Sequence, residues 1–497
     1  MEHSFPKLEE QILERWKREK TFEKSVEKRK RSPRFVFYEG PPTANGRPGL
    51  HHVASRSFKD VVLRYKTMRG FFVPRRAGWD THGLPVELEV EKQLGLKSKR
   101  DIEAFGIAKF NEECRKSVWK YQQEWQELTE RAGVWLDMEN AYVTYRTPYI
   151  ETLWKIIATW FKKDLLYKDY KVVPYCVRCG TPLSSHELAQ GYKTVKDLSV
   201  YVKFKAKGKK LPLKTYFLAW TTTPWTLPGN VALAVGKDIT YALAAKGSEH
   251  YIVAYDLAEK ALGEHDIVKT FLGKELVGTS YEPLFRFKEP EKGKKVWEVV
   301  PADFVSTKEG TGIVHTAVAY GAEDFELGKK ENLAMIHLVD AQGKFTKEAE
   351  PFKGKFVKDA DPLIVSKLKE QNLLFKEEWH EHEYPFCWRC STPLLYYAKE
   401  SWFVSMQKVK KALLSNNRKI NWIPAHLKEG RMGEWLKEVR DWAFSRERYW
   451  GTPLPIWECA ECGAAEAVGS ITELASKQSP RNSYFTVRHG HSERNTL

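Results

Sequence analysis

Cysteines are the residues whose type and spacing point most directly to chemistry. Six of the seven form three C-x-x-C pairs, and Cys114 stands alone in a segment with a helical pattern, as expected of a core residue. A C-x-x-C turn lets two thiolates face one ion, and two such turns supply the four sulfurs of a tetrahedral zinc site. Redox use of one pair is the alternative, although none lies in a thioredoxin-like strand–helix context. The pairs are Cys176 and Cys179, Cys387 and Cys390, and Cys459 and Cys462.

Two of these pairs lie in near-copies of one sequence. YCVRCGTPL begins at Tyr175 and FCWRCSTPL begins at Phe386, so both read C-x-R-C-[GS]-T-P-L. We expect one zinc ribbon over 171–194 and 383–398, with a separate domain over 195–382 that enters and leaves through it. The third pair lies in WECAECGAAEA, with no further ligands at suitable spacing after it.

A histidine pair lies where a phosphate could bind. RFVFY (34–38) predicts a short buried strand, and a loop rich in Gly, Pro and Asn leads to His51 and His52. Val53–Met68 then shows helical periodicity. Unpaired N–H groups at a helix N-terminus favour anions, and loop glycines let the backbone approach closely. This order predicts the opening of a nucleotide-binding α/β unit.

Further elements must position other polar side chains. Phe71–Pro74 predicts a second strand, followed by Asp80 at the end where α/β active sites lie, although Asp80 also suits a helix N-cap. Helical patterns cover 6–30 and 100–131. From about 195 to 382, short strand-like runs alternate with Gly-rich turns and predict a β-rich domain. Its Thr221, Thr222 and Thr223 are, in isolation, more typical of a plain strand than of a site.

The composition excludes several classes of protein. The 497 residues are 42% hydrophobic, which excludes wholesale disorder and predicts several domains. No apolar run is long enough for a membrane span, and the charged N-terminus has no secretory h-region. The net charge of +16 favours a polyanionic partner such as nucleic acid. We expect a cytoplasmic, monomeric protein with no membrane partner.

Six motifs together resemble the class I isoleucyl-tRNA synthetases of the eukaryotic-like type over about residues 1–478. The resemblance implies an α/β fold: the first part of a Rossmann-like nucleotide-binding domain (1–170, returning over 399–478) with an inserted β-rich editing domain and a zinc ribbon. The motifs are FYEGPPTANG (37–46), RRAGWDTHGLPVELEVEK (75–92), YCVRCGTPLSSHE (175–187), WTTTPWTLPGNVALAV (220–235), GTGIVHTAVAYGAEDF (310–325) and DWAFSRERYWGTPLPIW (441–457).

The resemblance implies a site for amino-acid activation. The family's H-x-G-H signature aligns with Gly49-Leu50-His51-His52, so the second histidine is kept as His52 and the first is replaced by Gly49. His51 or the Gly49 backbone then takes the first histidine's place. Mg²⁺ accompanies ATP. Trp450 lines the pocket or belongs to the core, and the core is the better fit.

The resemblance also implies which residues contact the substrates. ATP contacts Gly40, Pro41, Gly49, His51 and His52. The amino acid contacts Pro42 and Asp80, beside Pro41. The residues that serve catalysis are His51, His52 and Asp80.

The resemblance also implies hydrolytic editing, because a hydrophobic pocket rejects a smaller isostere only weakly; the discrimination of isoleucine from valine in this family is a standard illustration of that limit. Thr221, Thr222 and Thr223 would position the terminal adenosine and a water. Asp324 would bind the free amino group of the substrate, and His315 would shape a pocket that excludes isoleucine. No residue is an obvious nucleophile, so a positioned water is expected.

The resemblance ends before the chain does. We expect an incomplete synthetase, because the second half-sheet, the K-M-S-K-S loop, the anticodon-binding domain and the partners of Cys459 and Cys462 are not seen. SYFTVRHGHSERNTL (483–497) resembles the start of a histidine phosphatase domain; a chance basic tail is the alternative. The residues that match are Arg488, His489, Gly490, Ser492 and Asn495.

The resulting hypothesis is ATP-dependent ligation of isoleucine to its tRNA through an adenylate, with hydrolysis of mischarged valyl-tRNA. Structural zinc and Mg²⁺ with ATP are the expected cofactors, and tRNA, ATP and isoleucine the partners. The alternatives are a valyl or leucyl enzyme, an aminoacyl-tRNA hydrolase in which only 195–380 works, and a non-enzymatic zinc-dependent tRNA-binding protein.

Overall fold

Two separately packed units make up the chain. The computed structural model describes residues 4–43, 46–208, 211–459 and 461–477. The first unit comprises the described residues up to Leu165 and those from Glu447 on, and the second unit is Leu166–Arg446. None of the described helices is long and apolar enough to cross a membrane.

The first unit is mainly helical. Its strands form a parallel pair, Arg76–Trp79 with Asp137–Val143, and an antiparallel pair, Ile456–Glu458 with Ala465–Ala467. Trp79, Val90, Phe110, Cys114 and Trp125 lie in its core. The helices are Phe5–Glu19, Thr21–Glu27, Leu50–Met68, Leu84–Leu94, Lys99–Phe105, Ile107–Ser117, Gln122–Arg131, Thr147–Lys162 and Ile471–Lys477.

Several predicted elements of this unit are corrected. The helix predicted over 6–30 breaks at Lys20, whose φ of 51° ends one helix so that Trp16 and Phe22 both contact Trp135. The helical stretch over 100–131 is divided among three helices. The strand predicted at 34–38 is wrong: only Arg34 makes a bridge, to Phe72, and Tyr38 is 88% exposed.

The second predicted strand starts later than expected. Within 71–74 only Phe72 makes a bridge, and the strand runs from Arg76 to Trp79. Pro74 has no backbone N–H to give to a ladder, which fits a start beyond it. The predicted helix after the histidine pair is confirmed and begins slightly earlier, at Leu50.

The second unit is built on a ten-stranded mixed sheet. Thr215–Thr221 pairs both with Ile313–Thr316 and with Tyr192–Lys207, which closes part of the sheet into a ring. In sheet order the strands are Asp266–Leu272, Thr240–Lys246, Glu249–Ala254, Thr215–Thr221, Ile313–Thr316, Ala232–Val235, Glu298–Pro301, Ser280–Tyr281, Tyr192–Lys207 and Leu374–Pro385. Val200, Phe217, Leu233 and Val299 are fully buried in its large core.

A smaller antiparallel sheet carries the cysteine-bearing segments; its order is Trp442–Ala443, Leu395–Val404, Leu166–Cys176 and Thr181–Pro182. The predicted domain edges at 194/195 and 382/383 fall inside two long strands, where Thr194 pairs with Glu383 and Val195 with His382. The predicted domain division therefore stays a prediction. The helices are Ser185–Leu188, Ala258–Leu262, Gly273–Leu276, Ala322–Glu331, Val357–Glu370, Met406–Lys419 and Arg431–Lys437, and the 3₁₀ turns are Pro224–Gly229, Tyr255–Leu257 and Ala425–Leu427.

Candidate functional sites

The histidine pair lies in the first turn of helix Leu50–Met68, directly after Gly49. The Gly49 N–H donates to Nδ1 of His52 over 2.9 Å. This Nδ1 is therefore unprotonated, and the neutral His52 ring carries its proton on Nε2, where it can donate to an anion. Burial lowers the pKa of His52, and the neighbouring His51 adds to that shift.

Aromatic contacts fix the His52 ring. Its centroid lies 3.8 Å from that of His51 and 4.6 Å, edge to face, from that of Trp125. The indole N–H of Trp125 donates to the Gly46 carbonyl over 2.8 Å, which ties the preceding loop to the same core. Helix N-terminus, imidazole donors and a tethered loop together suit a phosphate chain.

Asp80 lies beside the Gly-Pro loop. Its N–H donates to the Pro42 carbonyl over 3.0 Å, and Thr43 and Asp80 form a parallel bridge. Its carboxylate accepts only a long, 3.5 Å bond from the His82 N–H, so the N-cap role is weakly made. Burial raises the pKa of Asp80. A half-buried carboxylate with spare acceptor capacity suits an ammonium ligand.

Trp450 lies in the core of the first unit, and a buried ion cluster fixes its backbone. Its indole N–H donates to the Thr81 carbonyl over 2.6 Å, and its N–H donates to the Glu87 carboxylate over 2.5 Å. Arg448 contacts both Glu87 and Glu91, and all three side chains are almost wholly inaccessible to solvent. Because Thr81 directly follows Asp80, the bond from Trp450 holds the RYWG segment close to Asp80 in space.

Four cysteines converge in the second unit. Sγ of Cys390 lies 3.5 Å from Sγ of both Cys176 and Cys179, and the ligand atoms of Cys176, Cys179, Cys387 and Cys390 all lie within 4.8 Å of one another. A tetrahedral zinc site with bonds of about 2.3 Å puts its sulfurs about 3.8 Å apart, so the four thiols fit the ion. None is in a disulfide. Bound zinc would join the two cysteine-bearing segments covalently.

The third pair is not part of this cluster. The Gly463 N–H donates to the Cys459 carbonyl over 2.9 Å, and Cys462 is exposed. Within the described parts of the chain, no third ligand joins them. Their predicted role as metal ligands stays a prediction.

The threonine run ends a strand and continues into a hydrogen-bonded turn. The Thr223 N–H donates to Oγ1 of Thr221 over 3.1 Å, and the two hydroxyls are 3.2 Å apart. Oγ1 of Thr226 lies 3.3 Å from that of Thr223 and 3.0 Å from Nε2 of His315. Val314 pairs with Trp220, so His315 and Thr221 each follow paired positions on adjacent strands. Thr222 lies in the same turn, with no side-chain bond to this chain of hydroxyls among those described.

Asp324 lies on helix Ala322–Glu331 and contacts the backbone just after strand Ile313–Thr316, which carries His315. Its Oδ2 accepts the Ala317 N–H over 2.9 Å, two residues beyond His315. Burial raises the pKa of Asp324 to about 7. A Cβ on residue 321 would lie only 2.7 Å from the Asp324 carboxylate, so the carboxylate can occupy this position because residue 321 is glycine. The carboxyl group has an unused oxygen and ionises readily when a cation arrives.

Comparison with known proteins identifies the family. The model of class I tRNA synthetases (I, L, M and V) matches residues 11–492. The chain belongs to this family.

Individual relatives narrow the resemblance. An isoleucine–tRNA ligase of Thermus thermophilus is 56% identical over 479 residues, covering 96% of this chain and 45% of the relative. One from Clostridium novyi is 54% identical over 475 residues, covering 95% and 45%. A solved LeuRS–tRNA–LeuAMS complex from Agrobacterium radiobacter K84 covers 93% of this chain and 52% of its own, at 16% identity and a TM-score of 0.37, which is too weak to add to this. This synthetase chain spans about half the length of the curated relatives it matches.

The predicted family and the class I α/β fold are thus confirmed. The match extends to residue 492, into the segment that resembles a histidine phosphatase; residues 483–497 lie outside the described ones, and that resemblance stays a prediction. The roles of the predicted site residues also stay predictions. In the first unit of the synthetase, one group consists of the histidine pair and Asp80, which each border the loop that contains Pro42 and Gly46. In the second unit, the threonine run, His315 and Asp324 form the other group, apart from the four-cysteine cluster.

Sequence reasoning missed the residues that hold these groups in place. They are His82, whose pKa burial lowers to about 4, Glu87, Glu91 and Arg448 in the first unit, and Thr226, Asn230 and Tyr281 in the second. The available signal was the i, i+4 spacing of Glu87 and Glu91, which places both carboxylates on one face if the segment is helical. Two carboxylates on a buried face require a cation.

Proposed function

We propose that this synthetase chain provides the amino-acid activation site and the editing site of an isoleucine–tRNA ligase. The observation that carries the proposal is the identity of 56% with an isoleucine–tRNA ligase over 96% of this chain, which includes both groups of site residues. The proposed activity forms isoleucyl-adenylate from isoleucine and ATP, transfers isoleucine to tRNA and hydrolyses valyl-tRNA.

The first group supports adenylate formation. Helix N–H groups and Nε2–H of His52 donate to phosphate oxygens, whose negative charge grows as pyrophosphate leaves. Mg²⁺ accompanies the ATP as its counterion. Asp80 binds the ammonium of the amino acid beside Pro42, whose carbonyl accepts the Asp80 N–H. Gly40 and Pro41 directly precede Pro42 in the Gly-Pro loop. The His51 ring packs against that of His52 at a tilt of 42° and supplies a second imidazole in place of the family's first histidine.

The second group supports hydrolysis of a mischarged ester. Asp324 ionises and binds the amino group of the valyl ester. The hydroxyls of Thr221, Thr222 and Thr223 position the terminal adenosine and a water, which attacks the ester carbonyl and releases valine and the tRNA hydroxyl. His315, neutral and held rigidly, forms one side of the pocket and excludes the larger side chain of isoleucine by a steric clash. Zinc on the four cysteines holds the ribbon and takes no part in the reaction.

A positive net charge of +16 supports tRNA as the polyanionic partner, and binding should weaken steeply with salt. Cytoplasmic location and a monomeric state are part of the same proposal. The family match covers isoleucine, leucine, methionine and valine enzymes, so the amino acid is the part of the proposal that experiment must decide.

The test measures the two reactions separately on this chain. Hydrolysis of valyl-tRNA should be at least tenfold faster than that of isoleucyl-tRNA and should fall at least a hundredfold in Asp324→Ala, because the ammonium contact is lost. Asp303→Ala is the matched control, since Asp303 is an exposed carboxylate of the same unit. Undiminished hydrolysis in Asp324→Ala would contradict the editing assignment.

Amino-acid-dependent exchange of pyrophosphate into ATP tests the activation site. Isoleucine should support the exchange better than valine or leucine, and Asp80→Ala should abolish it. Exchange that depends on leucine would identify a leucyl enzyme. Hydrolysis without any exchange would favour the alternative in which this chain acts only as an aminoacyl-tRNA hydrolase.

A further inference from the structure

A buried asparagine in the second unit has a fixed orientation. Nδ2 of Asn230 donates to the Ala232 carbonyl over 3.0 Å and lies 3.4 Å from the Thr316 carbonyl. Carbonyl oxygens only accept hydrogen bonds, so the amide nitrogen must face them and Oδ1 must point the other way. The orientation of this amide therefore follows from its neighbours.

The carbonyl end of that amide meets a buried tyrosine. The Tyr281 hydroxyl donates to Oδ1 of Asn230 over 2.7 Å. Tyr281 is 1% exposed and packs edge to face on Phe204, which leaves its hydroxyl no access to solvent. Burial raises the pKa of Tyr281 well above its usual value, so it remains a donor at every physiological pH.

The nitrogen end of the amide meets His315. Nδ2 of Asn230 lies 2.8 Å from Nδ1 of His315, and an amide N–H can only donate. Nδ1 is therefore the acceptor, and Nε2 carries the ring proton toward Oγ1 of Thr226, 3.0 Å away. The Thr226 hydroxyl donates a hydrogen bond to the Thr223 carbonyl over 2.8 Å. Every bond from Tyr281 to the threonine turn then has one direction.

We propose that Tyr281 is a positioning residue for editing: together with the Ala232 and Thr316 carbonyls it holds the Asn230 amide, which in turn fixes His315 in the neutral Nε2–H tautomer and in one ring orientation. The inference rests on the proposed function only for its consequence in editing. The Asn230 amide also opposes protonation of His315. An imidazolium would carry an N–H at Nδ1, directly against the amide N–H of Asn230. Burial independently lowers the pKa of His315 to about 3.

The direct test is the ¹⁵N spectrum of the full chain labelled at histidine, with His315 assigned from a His315→Gln sample. The wild-type spectrum should show a protonated Nε2 and an unprotonated Nδ1 between pH 6 and 8. In Tyr281→Phe the His315 signals should move toward the average of two tautomers. Tyr384→Phe is the matched control, because Tyr384 is also buried and donates its hydroxyl to one acceptor, the Leu394 carbonyl.

The activity arm uses the same variants. In Tyr281→Phe the ratio of valyl-tRNA to isoleucyl-tRNA hydrolysis should fall about tenfold, because a less firmly oriented His315 ring discriminates less between the two amino-acid side chains. Tyr384→Phe should leave the ratio unchanged. If Tyr281→Phe does not fold, 3-fluorotyrosine at position 281 replaces it: a more acidic hydroxyl should shift the His315 signals, and the same substitution at 384 should not. An Nδ1–H tautomer in the wild type, or His315 signals indifferent to position 281, would overturn the proposal. Absence of all hydrolysis would overturn the proposed function, whereas the tautomer is decided by the spectrum alone.

Discussion

The two groups of site residues differ in how completely their surroundings are packed. In the first unit, helix Leu50–Met68 exposes Leu50, Phe58 and Met68 by 75% or more. In the second unit, the strands that carry Thr221 and His315 are bordered by side chains such as Leu218, Leu233 and Ile313 that are at most 2% exposed. One site lies at the start of a partly covered helix, and the other lies at the ends of two adjacent central strands of a partly closed sheet.

This difference separates two ways of holding a polar side chain. His315 is fixed by hydrogen bonds whose directions are set by backbone carbonyls and a buried tyrosine, so its position exists before any substrate binds. His51 and His52 are held by ring contacts and one backbone bond, and solvent reaches His51. We expect the proposed editing site to keep its geometry without ligands and the geometry of the proposed activation site to depend more on its ligands.

Removal of zinc should have the largest effect and should be confined to the second unit. Binding of a structural zinc ion contributes on the order of 10 kcal/mol in small zinc domains, and here the ion would join segments distant in sequence. A strong chelator, or Cys390→Ser, should abolish hydrogen-exchange protection in strands Leu166–Cys176 and Leu395–Val404 while helix Leu84–Leu94 stays protected. Cys114→Ser is the control without metal loss. Equal hydrogen-exchange protection with and without zinc would show that zinc does not stabilise this unit.

A second substitution should affect only the first unit. Arg448→Met leaves the buried carboxylates of Glu87 and Glu91 without their cation, and breaking such a cluster costs about 3–5 kcal/mol. Urea unfolding followed by hydrogen exchange should show this loss in helix Leu84–Leu94. The control is Arg446→Met, which removes the better solvated pair with Glu187 in the second unit and should cost less than half as much. Equal losses of unfolding free energy would mean that the buried cluster of Arg448 contributes no more to stability than the Arg446–Glu187 pair.

These clusters also show where sequence reasoning succeeds and where it stops. The zinc ribbon was predictable because each half carries two cysteine ligands only three positions apart. The local spacing alone therefore indicates a metal site. Arg448 and its carboxylates are 357 and 361 residues apart, and the Asn230–His315 bond joins residues 85 apart. No local pattern indicates such partners, since only the tertiary fold decides which polar groups are buried together.

The strand predicted at 34–38 failed for a related reason. RFVFY has the apolar, β-branched and aromatic composition of a buried strand, but a strand exists only where a partner ladder does. Here only Arg34 makes a bridge, and Val36 and Tyr38 are exposed. The helix after the histidines was predicted well because a helix satisfies its own backbone. Elements that need no distant partner are the ones that sequence alone determines best.

A pH profile sharpens the comparison within the second unit. The pKa of Asp324 is raised from 3.8 to about 7, so the folded state holds a proton that the unfolded state has lost between these values. Stability therefore falls as pH rises from about 4 to 7, by as much as about 4 kcal/mol at 1.36 kcal/mol for each pKa unit. Asp324→Asn should remove this part of the slope, whereas the slope from the similarly raised Asp361 remains in both proteins. The check is the difference between their unfolding free energies at pH 5 and pH 8; a constant difference would mean that Asp324 is ionised in the folded chain.

The smallest effect is expected at the histidine pair, where Gly49→Ala changes one contact. The new Cβ would lie 2.9 Å from Cε1 of His51, and the backbone φ of −120° suits alanine, so the His51 ring moves away and stability changes by less than about 1 kcal/mol. Because His51 contributes to the lowered pKa of His52, the titration midpoint of His52 should rise toward the ordinary histidine value when His51 retreats. Gly40→Ala is the matched control, since a Cβ there meets nothing within 4 Å. An unchanged His52 midpoint with a displaced His51 would show that burial alone sets it, and the first site would then be as rigidly determined by its surroundings as the second.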